Sequence, residues 1–168
     1  MVATSDLARA VKQLAPGADV RFTSICLRMS EEHFEIPYYR EKYDAAGLAA
    51  SNRSLDEAVD SGVQAQELSV PLEEIRAFLQ GAENRCVITL LDMSSIRGTR
   101  SYTGHFVVLT GLDDVAVFHD PSRSSGPDRT LSLDAFEKAR QSWGTDEDLL
   151  FVSGLSPGGE ASEEGPAV

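Results

Sequence analysis

Three short runs rich in apolar and β-branched residues constrain the fold of this chain more than any other feature. The runs cover residues 86–91, 105–110 and 115–118, and each is bounded by residues that are typical of turns. Runs this apolar are typical of strands that are covered on both faces, so the pattern predicts a central sheet buried between helices. Residues 111–114 predict a hairpin turn between the last two strands.

Helical patterns and two further strands surround these runs. Apolar residues at helical spacing predict a first helix that Ser5 caps and that Pro16 ends. The other predicted elements are a strand over 20–27, an irregular segment followed by a helix within 31–47, helices over 54–66 and 71–81, a helix capped by Ser132, and a final strand over 148–152. Because helices precede an antiparallel sheet, the order predicts an α+β fold.

Length and composition indicate one domain followed by a tail. A chain of 168 residues is long enough for a single self-supporting hydrophobic core. Residues 153–168 contain four Gly, two Pro, three Ser and three Glu and no aromatic residue, so they cannot offset the entropy cost of ordering. We therefore expect a domain over residues 1–152 and a disordered acidic tail over residues 153–168.

The charge of the chain excludes several classes of partner. The formal net charge is −12, and a field of that sign repels nucleic acids and anionic membrane surfaces. The N-terminus shows no signal-peptide pattern, and no stretch approaches the roughly 20 apolar residues of a membrane-spanning helix. We therefore expect a cytoplasmic protein without a nucleic-acid or membrane partner. The sequence does not indicate the oligomeric state.

The chain has two cysteines, Cys26 and Cys86, and neither has a second Cys or a His at metal-ligand spacing. Both fall in predicted strands, where burial raises the pKa of a thiol and makes it unreactive. We interpret them as reduced structural thiols. His33 is also isolated, so no metal site is predicted.

His105 and Asp120 are the candidate catalytic residues. A glycine precedes His105 at the start of a predicted strand, and Asp120 follows the next strand of the same hairpin. An imidazole held by a carboxylate is the base half of a Cys/His/Asp hydrolase. The alternative is a strand-end histidine beside an ordinary Asp-Pro turn, and spacing alone favours that alternative.

Nucleotide chemistry leaves few traces in the sequence. Neither a Gly-x-x-x-x-Gly-Lys-Ser/Thr loop nor a Gly-x-Gly-x-x-Gly turn is present. A nucleotide cyclase needs carboxylates for a divalent ion and cations for the triphosphate. The available residues are Asp92, Asp113, Asp114 and Asp120 and the arginines Arg97, Arg100, Arg123 and Arg129. Such sets often arise by chance in a charged chain, so a solvated surface is the favoured explanation.

Three motifs together resemble one known family. They are the Gly-His-Phe-Val-Val-Leu-Thr-Gly segment at 104–111, the His-Asp-Pro turn at 119–121, and the stretch Phe-Glu-Lys-Ala-Arg-Gln-Ser-Trp-Gly-Thr-Asp-Glu-Asp-Leu-Leu-Phe at 136–151. These resemble the guanylyl cyclase domain-containing proteins of plants, animals, fungi and algae. That family is in turn similar to papain-like cysteine peptidases, and the resemblance implies a papain-like fold with His105 as base and Asp120 as third member.

The resemblance also implies a departure and three candidate functions. Family members carry an Asp-Cys-Gly-like nucleophile motif on a first long helix, whereas the residues around Ser5 match the second helix, so we expect the nucleophile helix to be missing. The family name implies conversion of GTP to cyclic GMP with a divalent metal, Mg²⁺ or Mn²⁺. The alternatives are the remnant of a papain-like thiol hydrolase without its nucleophile and a noncatalytic interaction module.

Overall fold

A computed structural model describes residues 2–82, 84–122 and 127–155 of the chain. The helices are α1 (Thr4–Leu14), α2 (Pro37–Lys42), α3 (Ala45–Asp60), α4 (Leu72–Gln80), α5 (Met93–Arg97) and α6 (Leu133–Arg140), with a 3₁₀ turn over Glu31–Glu35. The strands are β1 (Asp19–Ser24), β2 (Gln64–Glu67), β3 (Cys86–Asp92), β4 (Gly104–Leu112), β5 (Val115–His119), β6 (Arg129–Ser132) and β7 (Leu149–Ser153). The fold is therefore mixed α and β, as the order of predicted elements indicated.

All the described strands belong to one sheet in the order β2-β1-β7-β3-β4-β5-β6. The pairs are antiparallel with one exception, since β2 lies parallel to β1. The expectation of an antiparallel sheet is wrong at this edge. A long connection that contains α2 and α3 returns the chain to the end of the sheet where β1 begins, so the two strands run the same way.

Two hydrophobic cores lie on opposite faces of this sheet. The first core packs α4 and α6 against the sheet, and Phe136 and Ile75 are fully buried in it. The second packs α1 and α3 against the other face, around Phe22 and Leu55. The alternation of side chains along a strand sends Leu149 into the first core and Leu150 into the second. The central strands are thus covered on both faces, as their apolar sequences predict.

Several element boundaries differ from the sequence prediction. The helix predicted over 54–66 is α3, which begins at Ala45 and ends at Asp60 because Gly62 adopts a left-handed backbone with φ of +93°. Residues after it form β2 instead of further helix. The cap of α1 is Ala3 and not Ser5, whereas the hydroxyl of Ser132 accepts from the Ala135 amide and caps α6 as predicted.

The last strand and the segment after it bear on the predicted tail. The sheet continues to Ser153, and the described chain ends at Leu155. The predicted disorder of residues 153–168 therefore falls mainly on residues 156–168, which lie outside the described residues. Within the described ranges, no helix combines the length and the apolar composition that crossing a bilayer would require.

Candidate active site

His105 and Asp120 lie together at one end of the sheet. His105 Nε2 is 2.7 Å from Asp120 Oδ1, and the Asp120 side chain is 8% exposed whereas that of His105 is 31% exposed. A carboxylate that accepts from Nε2–H leaves the lone pair of the neutral imidazole on Nδ1. The structure therefore places a partly exposed imidazole against a buried carboxylate, and the two predicted residues are in contact.

The hairpin of β4 and β5 brings the two side chains to the same face. Val108 pairs with His119 and Leu109 with Phe118, so His105 near the start of β4 lies close to the residue that follows β5. Side chains alternate between faces along a strand, which puts His105 and Asp120 on one face. The Ser122 amide also donates to Asp120 Oδ1 at 2.8 Å and fixes the carboxylate.

Gly104 and Asp92 shape the backbone beside this pair. A Cβ atom on residue 104 would lie 2.7 Å from the Tyr102 hydroxyl, so only glycine fits without a shift of the ring. Asp92 pairs with Gly104 across the sheet and accepts from the amides of Ser94 and Thr103 at 2.9 and 3.0 Å. Burial opposes the charge of Asp92, but these hydrogen bonds outweigh it and lower its pKa.

The other histidine of this hairpin is excluded from the pair. His119 precedes Asp120 in the chain and therefore points to the opposite face of β5. Its Nδ1 accepts from the Asp128 amide at 3.1 Å. His119, the last residue of β5, and Asp120, which follows it, therefore have different hydrogen-bond partners, as the sequence predicted.

Neither cysteine lies near His105. Cys86 begins β3, at the end of that strand opposite Leu91, which is the partner of His105. Cys26 follows the end of β1, three strands away in the sheet. Burial raises the pKa of both thiols, and the carboxylate of Asp146 adds to the effect at Cys26. Both thiols are free, and the pair at His105 has no thiol beside it among the described residues.

The acidic residues proposed for a metal do not converge. Asp92 is buried and holds the start of α5, with its Oδ2 accepting from the hydroxyls of Ser94 and Ser142. Asp113 and Asp114 lie in the β4–β5 turn, at the opposite end of the hairpin from Asp120. Over the described ranges no group of three or more His, Cys, Asp or Glu could hold a metal ion. The geometry therefore does not fit a metal ion bound by the protein at these acids.

Comparison with known proteins identifies the family to which this chain belongs. The family model described as guanylylate cyclase matches residues 2–152, which include both residues of the pair. The chain belongs to the guanylylate cyclase family. Guanylyl cyclase 1 of Arabidopsis thaliana is 35% identical to this family member over 113 residues, which cover 57% of the chain and 40% of the relative. The chain therefore spans less than half the length of this curated relative. No solved structure matches it significantly.

The sequence did not predict a second polar cluster in this guanylylate cyclase family member. His33 Nε2 is 2.8 Å from Asp146 Oδ2, and the hydroxyl of Thr4 donates to Asp148. The cluster borders a cavity of about 90 Å³ that Gly104 and Phe106 also line. These two residues flank His105 but face the other side of β4. No sequence motif could have joined His33 to Asp146, because 113 positions separate them.

Proposed function

We propose that this protein converts GTP to cyclic GMP and pyrophosphate, with His105 as the general base. The observation that carries the proposal is the bond between His105 and Asp120 at an accessible sheet end in a chain of the guanylylate cyclase family. The name of the curated plant relative supports the same reaction. A general base is the group that such a cyclisation needs from the protein at the attacking hydroxyl.

In the proposed step, Nδ1 of His105 takes the proton of the ribose 3′-hydroxyl. The 3′-oxygen then forms a bond to the α-phosphorus, while the bond from that phosphorus to the oxygen bridging to the β-phosphate breaks. Pyrophosphate leaves with the electron pair of the broken bond. Asp120 stabilises the imidazolium that forms, because its buried carboxylate accepts from Nε2–H throughout. A divalent ion, Mg²⁺ or Mn²⁺, enters as part of the metal–GTP substrate.

The test measures cyclic GMP formed from GTP in the presence of Mg²⁺ or Mn²⁺ by mass spectrometry. We expect His105→Ala to lower the rate by about 10²- to 10⁴-fold, the usual contribution of a general base. Asp120→Asn should lower it less, because the imidazole remains but loses its orienting charge. His119→Ala is the matched control, since it removes the neighbouring histidine on the opposite face and should leave the rate unchanged.

Two outcomes would contradict the proposal. Wild-type protein that forms no cyclic GMP would favour a noncatalytic interaction module. Cyclic GMP formation that survives His105→Ala in a folded variant would show that another residue is the base. Circular dichroism on each variant separates loss of folding from loss of activity.

We propose as a second candidate a papain-like fold in which His105 and Asp120 are the remaining half of a thiol hydrolase. The imidazole–carboxylate pair on adjacent antiparallel strands favours it. The two cysteines of the chain lie elsewhere, so we expect no hydrolysis of fluorogenic peptides by this chain alone. Peptide hydrolysis that is lost in Cys26→Ser or Cys86→Ser would contradict that expectation. A crystal structure whose strand order differs from that of papain-like peptidases would contradict the fold.

A further inference from the structure

The cavity on the opposite face of β4 from His105 has no role in the proposed reaction. It lies between α1, the 3₁₀ turn and the sheet, and its volume is about 90 Å³. Phe22, Leu90 and Phe106 line its sheet side, while His33, Asp146 and Asp148 form its polar side. The cavity thus combines an apolar floor with titratable groups at one end, which is the usual composition of a ligand site.

Asp148 is the most constrained of the polar groups. It is partly buried and lines the cavity, and the hydroxyl of Thr4 donates to its carboxyl group. Burial raises its pKa to about 7, and the nearby charge of Asp146 adds to this effect. Hydrogen bonds from the hydroxyls of Thr4 and Ser24 and the charge of His33 act in the opposite direction but do not cancel it. A ligand that donates hydrogen bonds and carries positive charge would stabilise the ionised form.

Tyrosine rings provide another wall of the cavity. Tyr38, Tyr39, Tyr43 and Tyr102 all line it. The ring centroids of Tyr39 and Tyr102 are 5.8 Å apart, and those of Tyr38 and Tyr102 are 5.2 Å apart. The hydroxyls of Tyr39 and Tyr102 donate to the Gly144 carbonyl at 2.5 and 2.7 Å, which holds the rings in place. Fixed aromatic rings attract cations through their negative faces.

The charges around the cavity also favour a cation. No Lys or Arg is among the described residues that line it. His33 is paired with Asp146, and its pKa is raised mainly by that hydrogen bond. Among the described residues the Asp148 carboxyl accepts from the hydroxyls of Thr4 and Ser24, and the nearest cation that acts on it, His33, is itself paired with Asp146. The net charge of −12 adds a general attraction for positive ligands.

We propose that this cavity binds the guanidinium group of a small organic cation, held by the Asp148 carboxylate and the tyrosine rings. A planar guanidinium donates two parallel hydrogen bonds to a carboxylate and stacks on aromatic rings. An apolar cavity of about 150 Å³ holds benzene, so a cavity of about 90 Å³ suits a smaller group such as guanidinium. The cavity is separate from the site of the proposed cyclase reaction, so the binding proposal does not depend on that reaction.

Calorimetric titration with methylguanidinium tests the proposal, with methylurea as the uncharged probe of the same shape. We expect saturable binding of methylguanidinium in the millimolar range and at least tenfold weaker binding of methylurea. Asp148→Asn should weaken methylguanidinium binding at least tenfold. Asp128→Asn, which removes an exposed carboxylate elsewhere, should not change it. Equal affinity for both probes, or unchanged binding by a folded Asp148→Asn variant, would overturn the proposal.

A second measurement on wild-type protein needs no variant. Guanidinium binding ionises Asp148, so at pH 6 the protein should release protons as methylguanidinium binds. Titrations in two buffers with different heats of ionisation measure that release. The tripeptide Gly-Arg-Gly, titrated in parallel, should bind less tightly than methylguanidinium because the cavity is small. Tighter binding of the tripeptide would overturn the assignment to a small cation and indicate an arginine side chain of a protein. Absence of proton release would overturn the role of Asp148.

Discussion

Arg140 at the end of α6 is 1% exposed, and its guanidinium group is surrounded by acceptors. It donates to Glu137, to Glu147 Oε2 at 3.2 Å and to the Val70 carbonyl at 2.9 Å. A buried charge is tolerated only when it is paired in this way. At the residue scale, this one side chain therefore connects α6 to the loop before β7 and to the segment before α4.

We predict that Arg140→Ala lowers the free energy of unfolding by about 3–5 kcal/mol, the usual cost of breaking a buried ion pair from one side. Glu137, Glu147 and the Val70 carbonyl would each lose the Arg140 donor, although Glu147 would keep the hydroxyl of Ser69. Lys138→Ala is the control, because that exposed cation lies on the same helix and should change stability by less than about 0.5 kcal/mol. Urea denaturation followed by circular dichroism measures both variants, and equal losses would contradict the prediction.

Asp148 makes the stability of the protein depend on pH. Its pKa is about 7 in the folded protein and about 4 in an unfolded chain. The folded state therefore binds the proton more tightly, and this contribution to stability is present below pH 4 and lost as the pH rises to 7. The neighbouring charged groups are Asp146 and His33, and the raised pKa of His33 extends the loss to higher pH.

We predict that the free energy of unfolding falls between pH 4 and 7 with a contribution approaching about 1.4 kcal/mol per pH unit from Asp148. Asp148→Asn should remove that contribution and flatten the profile. Asp128→Asn should retain the profile of the wild type. Urea midpoints at half-unit pH intervals test this, and a slope that persists unchanged in Asp148→Asn would refute it.

At the scale of elements, patterns within a short stretch of sequence predicted those structures that are formed by contacts within the same stretch. The pattern over 71–81 predicted α4, which covers Leu72–Gln80, because Pro71, the first-turn acids and Gly81 all act within the helix. The contact between His105 and Asp120 was also predictable, since a hairpin connects their strands directly. By contrast, β2 forms because Ala65 pairs with Phe22 of β1, and no local pattern shows a partner 43 positions away. The second polar cluster, which borders the cavity, was not predicted for the same reason, because its residues are distant from one another in the sequence.

The loop between α6 and β7 is a second element whose conformation depends on distant partners. Gly144 adopts a φ of +97°, and its carbonyl accepts from the hydroxyls of Tyr39 and Tyr102. Asp146 and Glu147 also have positive φ values, of 50° and 54°. Non-glycine residues in this region are strained and persist only when surrounding contacts hold them. The conformation of this loop is therefore held by contacts from distant parts of the chain, including those of Tyr39 and Tyr102.

We predict that Gly144→Ala lowers the free energy of unfolding by about 2–4 kcal/mol, from backbone strain together with steric overlap. An added Cβ would lie 2.8 Å from Ile36 Cδ1 and 3.2 Å from the Tyr102 ring. Gly98→Ala is the control, because its φ is +68° but its Cβ would meet nothing within 4 Å, so only the strain of about 1–2 kcal/mol applies. Thermal and urea denaturation give both values. A loss in Gly144→Ala no larger than in Gly98→Ala would show that the overlap is absorbed.

At the scale of the whole molecule, one sheet is shared by two cores. Adjacent residues of β7 serve different cores, and β3 likewise sends Val87 into the first while Ile88 packs against the second. Each polar cluster also lies on its own face at the same end of the sheet. The two faces are thus chemically separate but depend on the same central strands. Unfolding of one face exposes the apolar side chains that the strands present to it, and we expect the other face to lose its support at the same time.

We predict that the described domain unfolds in one cooperative transition. Phe136→Ala in the first core and Leu55→Ala in the second should each lower the free energy of unfolding by about 2–5 kcal/mol, because both side chains are buried. Leu14→Ala is the control, since that residue is 87% exposed and should change stability by less than about 0.5 kcal/mol. If the sheet couples the faces, each core variant lowers amide protection on both sides of the sheet by the same amount. Hydrogen exchange resolved by residue, together with urea denaturation, measures this coupling. Protection lost on the mutated face alone would show that the two cores unfold independently despite their common strands.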